Sequence, residues 1–326
     1  MKILYISRAK PDYLQDIVYS GLVKALGISN VIEYPWNIRY HINFRPYPKN
    51  IGLVKGGLMR SLISRMSMKQ FDMVIVASCH PDAIKSYLEI IDTIPSSVPT
   101  AFIDGGDWPN VAGDLSRVGG MELYEKITGK RPFDFIFKRE YLLDSEYEKN
   151  VYSLPFACNM ELVPRLNKKY KYDVSFWAVE SHQIRTDALN LLQGKFDCEL
   201  NQTVPNQTFK SYSRKGASYL RELARCKIVL NFRGGGWDTL RYWEVPAVSS
   251  LMISQMPRIR IANNFEHGSE VIYCSDDLHD LIELCDYYLK HEDKRKKIAE
   301  RSRLKLLSYH TDVHRAREVL STITQF

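Results

Sequence analysis

The chain has 326 residues, of which 45% are hydrophobic and 25% are charged, a composition that excludes a disordered or fibrous protein. This length exceeds what a single hydrophobic core usually organises, so we expect two domains. The formal net charge is +7, from 45 basic and 38 acidic residues. No apolar run approaches the roughly 18 residues of a membrane-spanning helix, which argues against an integral membrane protein.

The first half of the chain alternates apolar runs with amphipathic segments. This pattern predicts a parallel sheet covered by helices on both faces. The predicted strands cover residues 3–6, 31–34, 72–78, 100–104 and 133–137, and the predicted helices cover residues 12–26 and 81–91. A stretch containing Pro and Asn at 154–170 then breaks the alternation and indicates an interdomain connection.

A basic segment, residues 37–70, lies within the first half. It contains seven Lys or Arg residues and no acid, while the rest of the chain has 38 basic and 38 acidic residues. Apolar side chains are interleaved with these charges, which suits an anionic acceptor or an anionic membrane surface. The alternative is a solvated helix face beside a long loop. No zinc, helix-turn-helix or RNA-binding signature accompanies the segment, so nucleic acid is the less favoured partner.

Cysteine usage and the start of the chain both predict a cytoplasmic protein, with peripheral contact to the inner membrane face through the basic segment. The six cysteines show no Cys-x-x-Cys spacing, so we interpret them as reduced and mostly buried thiols. A predicted strand begins at Lys2, which leaves no secretory leader in this sequence. Metal-ligand motifs such as His-Glu-x-x-His are absent, and we expect no metal cofactor.

The second half repeats the alternation of strands and helices. The predicted strands are 172–178, 198–202, 227–232, 250–254 and 270–274. The predicted helices are 183–193, 219–224, 239–245, 278–289, 292–309 and 311–324. We expect Pro246 to interrupt or end the third of these helices, because proline lacks an N–H and its ring clashes with the preceding turn. Two Rossmann-like halves are the simplest architecture.

The most informative motif is a glycine turn between a strand and a helix. The turn, residues 233–236, consists of Arg233, Gly234, Gly235 and Gly236, and it follows the apolar run 227–232. Glycines cannot continue that strand well, because they add backbone entropy and offer no side chain to pack. We predict that Asp238 caps the helix that follows. Backbone N–H groups at a helix N-terminus favour a phosphate or diphosphate.

Three residues of the predicted helix complete this candidate anion site. Thr239 and Arg241 lie in its first turn, and Glu244 lies about one and a half turns further on, where a carboxylate could reach a ribose hydroxyl. The alternative is that the glycines only permit a tight connection between strand and helix, since glycine turns are common.

Several motifs resemble one family of enzymes. The second half contains Cys-Lys-Ile-Val-Leu-Asn at 226–231 and Trp-Asp-Thr-Leu-Arg-Tyr-Trp-Glu at 237–244, with further matches at 271–278, 288–291, 297–299 and 310–315. The first half adds matches at 12–16, 21–22, 33–35, 103–107 and 137–140. Together these motifs resemble the GT-B glycosyltransferases of the group that includes spore-maturation proteins, and more distantly the catalytic domain of exostosins.

The resemblance implies an α/β protein with two Rossmann-like domains whose parallel sheets face each other across a cleft. The implied domains are 1–158 on the acceptor side, 159–310 for the nucleotide-sugar, and a C-terminal helix at 311–326 that crosses back to the first domain. A nucleoside-diphospho-sugar, most readily a UDP-sugar, would lie against the second domain, without a metal. Acceptors would be a surface glycan, its lipid-linked precursor or a protein.

The resemblance also implies roles for single residues. Glu244 would bind the ribose, while Thr239, Arg241 and the amides of the glycine turn would hold the diphosphate, with Arg185 as a further phosphate contact. Many retaining members carry a Glu eight residues before the equivalent of Glu244, but Gly236 occupies that position here. The usual retaining mechanism is therefore in doubt, and Asp238 is only a partial substitute.

An inverting enzyme would need a general base, for which three residues after first-half strands are candidates: Asp12, His80 and Asp107. We favour Asp107, because the two glycines before it free the backbone to aim its carboxylate. A turn aspartate bonded to nearby amides is the competing interpretation, and His80 before Pro81 could equally cap a helix. Two rival functions remain: a non-catalytic GT-B-like binding protein, and a glycosyltransferase acting on modified DNA bases.

Overall fold

The computed structural model describes residues 1–41, 67–166, 169–176, 179–196 and 216–325. The chain forms two compact units, Met1–Phe156 with Asp312–Phe326, and Ala157–Thr311. Each unit contains one parallel sheet, which confirms the predicted α/β class with two Rossmann-like halves. No helix among these residues is long and apolar enough to cross a membrane.

The strands of the first unit are β1 (Ile3–Ile6), β2 (Val31–Tyr34), β3 (Met73–Val76), β4 (Thr100–Asp104), β5 (Phe135–Lys138) and β6 (Val151–Ser153). Those of the second unit are β7 (Tyr172–Ser175), β8 (Cys226–Asn231), β9 (Leu251–Gln255) and β10 (Ile272–Cys274). The first sheet has the order β2-β1-β3-β4-β5-β6 and the second β10-β9-β8-β7. The strand order of the first sheet reverses at β1, and such switch points favour ligand sites at the carboxyl ends of the strands.

The helices in chain order are α1 (Tyr13–Leu26), α2 (Ile38–His41), α3 (Pro81–Ile90), α4 (Gly113–Val118), α5 (Met121–Lys130), α6 (Gln183–Leu192), α7 (Ala217–Leu223), α8 (Leu240–Val248), α9 (Leu281–Lys290), α10 (Glu292–Tyr309) and α11 (Asp312–Thr324). Helices α1 to α5 and α11 belong to the first unit, and α6 to α10 belong to the second.

Buried apolar strands explain why each sheet forms. All four residues of β1 and of β3 are buried, as expected for strands covered on both faces. In the first unit, Val74, Val76 and Phe102 pack with residues of α3 and α5. In the second, the core joins β7, β8 and β9 to α6 and α9. These separate cores are consistent with the length of the chain.

The final helix packs against the first one. A Cβ atom at Gly21 of α1 would lie 2.0 Å from the carbonyl oxygen of Asp312, so only glycine permits this approach. The Asp312 carboxylate accepts hydrogen bonds from Ser20 Oγ at 2.8 Å and from Lys24 Nζ at 2.7 Å. A partly buried ion pair thus fixes the start of α11 on α1.

The basic segment lies mostly outside the described residues, but its first part is described. Arg39 binds Asp16 through two hydrogen bonds, of 3.2 and 2.8 Å, and both side chains are buried. Burial raises the pKa of Asp16 to about 7 although Arg39 opposes the shift. Arg39 is therefore part of the interior of the first unit. Five of the other six basic residues of the segment lie outside the described residues.

Some elements differ from the sequence predictions. Helix α8 continues through Pro246 to Val248, so the expected early end is wrong. It ends where Ser249 adopts a left-handed φ of 57°. Helices α4 and α5 and strand β6 were not predicted, and the strand predicted at 198–202 lies outside the described residues.

Candidate functional site

The glycine turn joins the carboxyl end of β8 to the N-terminus of α8. Thr239 is the N-cap residue of α8, but its side chain makes no capping hydrogen bond. Its Oγ1 instead donates to Asn231 Oδ1 at 2.6 Å, and Asn231 Nδ2 donates to Ser254 Oγ at 3.0 Å. The ends of β8 and β9 are thereby tied to the start of α8. Without a side-chain cap, the amides of the first helical turn retain their affinity for an anion.

Asp238 does not cap the helix as predicted. Helix α8 begins one residue later than expected, at Leu240, with Thr239 as the cap. The Asp238 carboxylate instead accepts a hydrogen bond from the indole Nε1 of Trp243 at 2.8 Å, and both residues are buried. A buried indole N–H requires an acceptor, and this requirement takes Asp238 away from the helix amides. Asp238 therefore orients Trp243 beneath the turn.

Arg185 supports the glycine turn from α6. Its guanidinium donates to the carbonyl oxygens of Phe232 at 3.0 Å and Arg233 at 2.8 Å. It also donates to the carbonyl oxygen of Val179 at 2.8 Å and to Ser181 Oγ at 3.1 Å. The Arg185 side chain is buried, and these hydrogen bonds to protein oxygens hold the shape of the turn. The phosphate contact that the resemblance implies for Arg185 stays a prediction.

Gly234 is the glycine that this arrangement requires. A Cβ atom there would lie 3.0 Å from both Arg185 Nη2 and Ser181 Oγ. The Gly234 N–H donates to the carbonyl oxygen of Gly236 at 2.9 Å, so this amide closes the turn on itself. Gly235 is exposed and Gly236 is buried. The turn is thus shaped by close packing against Arg185.

We expect Gly234→Ala to destabilise the protein by about 1–3 kcal/mol, because the new methyl group crowds the Arg185 guanidinium, whose four hydrogen bonds resist the small shift that it needs. The melting temperature should fall by about 2–4 °C for each kcal/mol. Gly129→Ala on α5 is the matched control, since a Cβ atom at Gly129 meets nothing within 4 Å and alanine favours the helix. Equal melting temperatures for the two variants would show that Arg185 does not hold the turn.

Arg241 and Glu244 are half-buried residues in the first turns of α8. Arg241 Nε donates to the hydroxyl of Tyr219 at 3.1 Å, and the guanidinium lies 5.7 Å from the ring centre of Phe176. Glu244 is half-buried, and its burial raises its pKa to about 7 while the charge of Arg241 lowers it. A carboxylate with so high a pKa is destabilised in its ionised form until hydrogen-bond donors reach it.

Cationic and aromatic side chains surround the turn. Trp237 lies between two guanidinium groups, 4.3 Å from Arg233 and 5.7 Å from Arg258. His182, which sequence reasoning missed, is the N-cap of α6 and accepts a hydrogen bond from the Ile184 N–H at 3.3 Å. Burial and the charges of Arg233 and Arg185 lower the pKa of His182. Its position just before a predicted helix was the only signal for it in the sequence.

In the first unit, two of the proposed general bases lie at the carboxyl ends of β1 and β3, where the strand order reverses. Asp12 is the N-cap of α1 and accepts hydrogen bonds from the Gln15 N–H at 3.2 Å and from Ser78 Oγ at 2.5 Å. His80 is the N-cap of α3, and its Nδ1 accepts from the Asp82 N–H at 3.4 Å. Burial, with the charge of Arg8, lowers the pKa of His80.

The third proposed base, Asp107, follows β4. Its carboxylate forms an ion pair with Arg139, and its N–H donates to the Asp114 carboxylate. The Asp107 side chain is 45% exposed, whereas that of His80 is 25% exposed. Asp107 is therefore the more accessible of the two, although it is held by a buried guanidinium. The structure brings Asp12, Ser78 and His80 to neighbouring strand ends and places Asp107 on the next strand.

Part of the chain matches a known family in sequence. Residues 190–321 match the family described as glycosyl transferase-like. The match covers the glycine turn and α8, and it begins after Arg185. No curated protein is similar to the chain in sequence at a significant level.

Solved structures share the fold over the whole chain. HepE of Anabaena, in complex with UDP, has a TM-score of 0.60 at 10% identity, with 100% of both chains covered. An alpha-glucosyltransferase, in complex with UDP-glucose and DNA containing an abasic site, has a TM-score of 0.60 at 11% identity, with 99% of both chains covered. Sucrose-phosphate synthase from Thermosynechococcus elongatus has a TM-score of 0.60 at 8% identity, with 100% of this chain and 98% of the other covered. The chain therefore has the GT-B fold of these glycosyltransferase structures, and its residues 190–321 are similar to the glycosyl transferase-like family.

Proposed function

We propose that the chain transfers a sugar from a UDP-sugar to a surface glycan, its lipid-linked precursor or a protein. The observation that carries this proposal is the junction of β8 and α8, where uncapped helix amides, Arg241 and Glu244 lie together at the carboxyl edge of a parallel sheet. The structural relatives in complexes with UDP and UDP-glucose support a uridine nucleotide as the donor.

Each part of the junction has a role in donor binding. The amides at the start of α8 and the Arg241 guanidinium are donors for the diphosphate. Glu244 lies one turn beyond Arg241, where its carboxylate accepts hydrogen bonds from the ribose hydroxyls. Thr239 and Asn231 hold the start of α8 in place, and Arg185 shapes the turn that precedes it.

The chemistry is displacement of UDP from the anomeric carbon of the sugar. Negative charge grows on the diphosphate as the glycosidic bond breaks, and prearranged N–H and guanidinium donors stabilise that charge. We propose that these donors perform the task without a metal. The residue eight positions before Glu244 is Gly236 rather than Glu, so the proposal includes no carboxylate at that position.

An acceptor hydroxyl needs a general base if the reaction inverts the anomeric configuration. We propose Asp107 for this role, because its carboxylate is more exposed than the His80 imidazole. Asp12 is the weaker candidate, since it accepts hydrogen bonds from Ser78 and from the Gln15 amide. The six remaining basic residues of the basic segment would attract an anionic acceptor or the membrane that carries it.

We also propose that the chain belongs to the subgroup of glycosyltransferases that includes spore-maturation proteins, with a more distant relation to exostosins. Transfer to DNA is the second candidate function, because one structural relative is an alpha-glucosyltransferase in complex with DNA. Strong DNA binding that weakens steeply as salt rises would favour that candidate over a glycan acceptor.

A thermal-shift screen against UDP, GDP, CMP, ADP and dTDP tests the proposed donor. UDP should raise the melting temperature, because a ligand that binds only the folded state stabilises it by about 2.7 kcal/mol at a concentration 100 times its Kd. Arg241→Ala should abolish most of this shift. Arg221→Ala on α7 is the control and should keep it. No shift with any nucleotide, or an equal shift in Arg241→Ala, would contradict the proposal.

A further inference from the structure

Buried charged side chains hold the loop between β4 and α4, residues 105–112. Asp104 is fully buried and accepts hydrogen bonds from the N–H groups of Gly106 at 3.1 Å and Ala112 at 2.7 Å. Asp104 also forms an ion pair with the fully buried Lys138 at 3.1 Å. The Asp107 N–H donates to buried Asp114. Both ends of the loop are thus fixed from inside the fold.

The middle of the loop is fixed as well. Lys138 Nζ donates to the carbonyl oxygen of Trp108 at 2.5 Å. The hydroxyl of Tyr147 donates to the carbonyl oxygen of Pro109 at 3.1 Å. Ala112 adopts a left-handed φ of 59°, which costs a non-glycine residue energy and persists only where its surroundings enforce it. The loop is therefore held along its length, from both ends and from its middle.

The side chain at the tip of this rigid loop is an exposed tryptophan. Trp108 is 47% exposed, and Pro109 and Asn110 beside it are also exposed. A Cβ atom at Gly113 would lie 3.0 Å from Trp108 Cβ and 3.5 Å from Trp108 Cε3. The Trp108 side chain therefore packs against the backbone of Gly113. The half-exposed carboxylate of Asp107 adjoins it in the sequence. The loop thus presents an apolar ring beside an acidic group.

We propose that Trp108 is a stacking platform for a sugar ring of the acceptor, with Asp107 accepting hydrogen bonds from its hydroxyls. An indole offers a large flat apolar area for contact. The C–H face of a pyranose is apolar as well, while the edge of the sugar ring carries hydroxyl donors. A rigid aromatic group loses little entropy on binding. The neighbouring carboxylate disfavours the phosphates of a nucleic acid and accepts hydrogen bonds from a neutral sugar. This inference rests on the proposed function and selects a carbohydrate among its acceptors.

Saturation-transfer NMR with methyl glycosides of glucose, galactose, mannose and N-acetylglucosamine tests the platform directly, with wild-type protein in the presence of UDP. At least one glycoside should bind, and Trp108→Ala should weaken its binding about tenfold, which corresponds to about 1.4 kcal/mol. Trp108→Phe keeps a smaller ring and should retain part of the binding. Tyr309→Ala, which removes an aromatic residue 44% exposed on α10, should bind the glycoside as the wild type does.

The melting-temperature shift with UDP separates this inference from the proposed function. If UDP stabilises the protein but no glycoside binds, or if Trp108→Ala and Trp108→Phe both bind the glycoside as tightly as wild type, the platform is wrong and the donor site stands. If a glycoside binds in a manner that depends on Trp108 but UDP does not bind, the platform stands and the proposed donor is wrong. Binding of a single-stranded oligonucleotide that depends on Trp108, without glycoside binding, would overturn the platform in favour of a nucleic-acid acceptor.

Discussion

Glu244→Gln is expected to remove the pH dependence of UDP-glucose binding and to stabilise the protein at alkaline pH. The pKa of Glu244 is raised by burial to about 7 from its ordinary value of 4.5. In the wild type, the ionised fraction of this carboxyl falls about tenfold between about pH 8 and pH 6. Because ribose hydroxyls bind the ionised form, affinity for UDP-glucose should fall by a similar factor. The amide of Gln cannot ionise, so its weaker binding should not change over this interval.

The same carboxyl changes the stability of the folded protein in the opposite direction, because stability falls as pH rises. A carboxyl whose pKa is raised in the folded state contributes stability that is fully present below pH 4.5 and lost as pH rises through about 7. At about pH 8 the buried charge therefore costs the wild type roughly 2–3 kcal/mol that Glu244→Gln does not lose. Because the loss begins at about pH 4.5, urea denaturation at about pH 4.5 and at about pH 8 measures this difference.

Isothermal titration calorimetry with UDP-glucose measures the binding. UDP-glucose is preferable to UDP because the diphosphate of UDP-glucose does not titrate near neutral pH. Glu283→Gln, which changes an exposed carboxylate on α9, is the control and should keep the wild-type pH profile. A pH dependence that is unchanged in Glu244→Gln would show that this carboxylate does not contact the donor.

Asp104→Asn is expected to destabilise the protein by about 3–5 kcal/mol, the usual cost of leaving one member of a buried ion pair without its partner. Asp104 and Lys138 are both fully buried and 3.1 Å apart. The substitution leaves the Lys138 ammonium without a counter-charge and removes hydrogen-bonding capacity from the loop at 105–112. Urea denaturation followed by circular dichroism gives the change in unfolding free energy.

The double variant Asp104→Asn with Lys138→Met should recover a large part of this loss, since it removes both charges. Lys130→Met is the control, because Lys130 and Asp92 form an exposed pair whose loss should cost less than about 1 kcal/mol. If Asp104→Asn costs no more than Lys130→Met, the buried pair is not what holds the loop.

The fold was predictable wherever the apolar pattern was strong. Strands 3–6, 31–34 and 100–104 occur within the bounds that their buried runs predict. Helix α5 was missed because, among its residues, Ile127 alone is buried, so its sequence shows little amphipathic periodicity. Strand β6 has three residues and one buried side chain, which is too short a signal for periodicity. Pro246 misled the prediction because proline usually ends a helix.

The chemistry of the site was predictable only where it is local. The sequence places Thr239, Arg241 and Glu244 on one helix start, because all three lie within two turns of each other. Two of the four acceptors of Arg185 could not be predicted, because they lie 47 and 48 residues away in the chain. The same holds for Asp107, whose partner Arg139 is 32 residues away. Asp238 was misread because the competing donor, the Trp243 indole, becomes its neighbour only after α8 forms.

Hydrogen–deuterium exchange with and without saturating UDP tests the central claim most directly, since it reports on the amides that the diphosphate should engage. The account predicts that UDP slows exchange in peptides covering residues 233–248, with the largest effect at the start of α8. Peptides covering the loop at 105–112 should exchange at the same rate in both samples. UDP binding without protection at 233–248 would contradict the assignment of the donor site to the junction of β8 and α8.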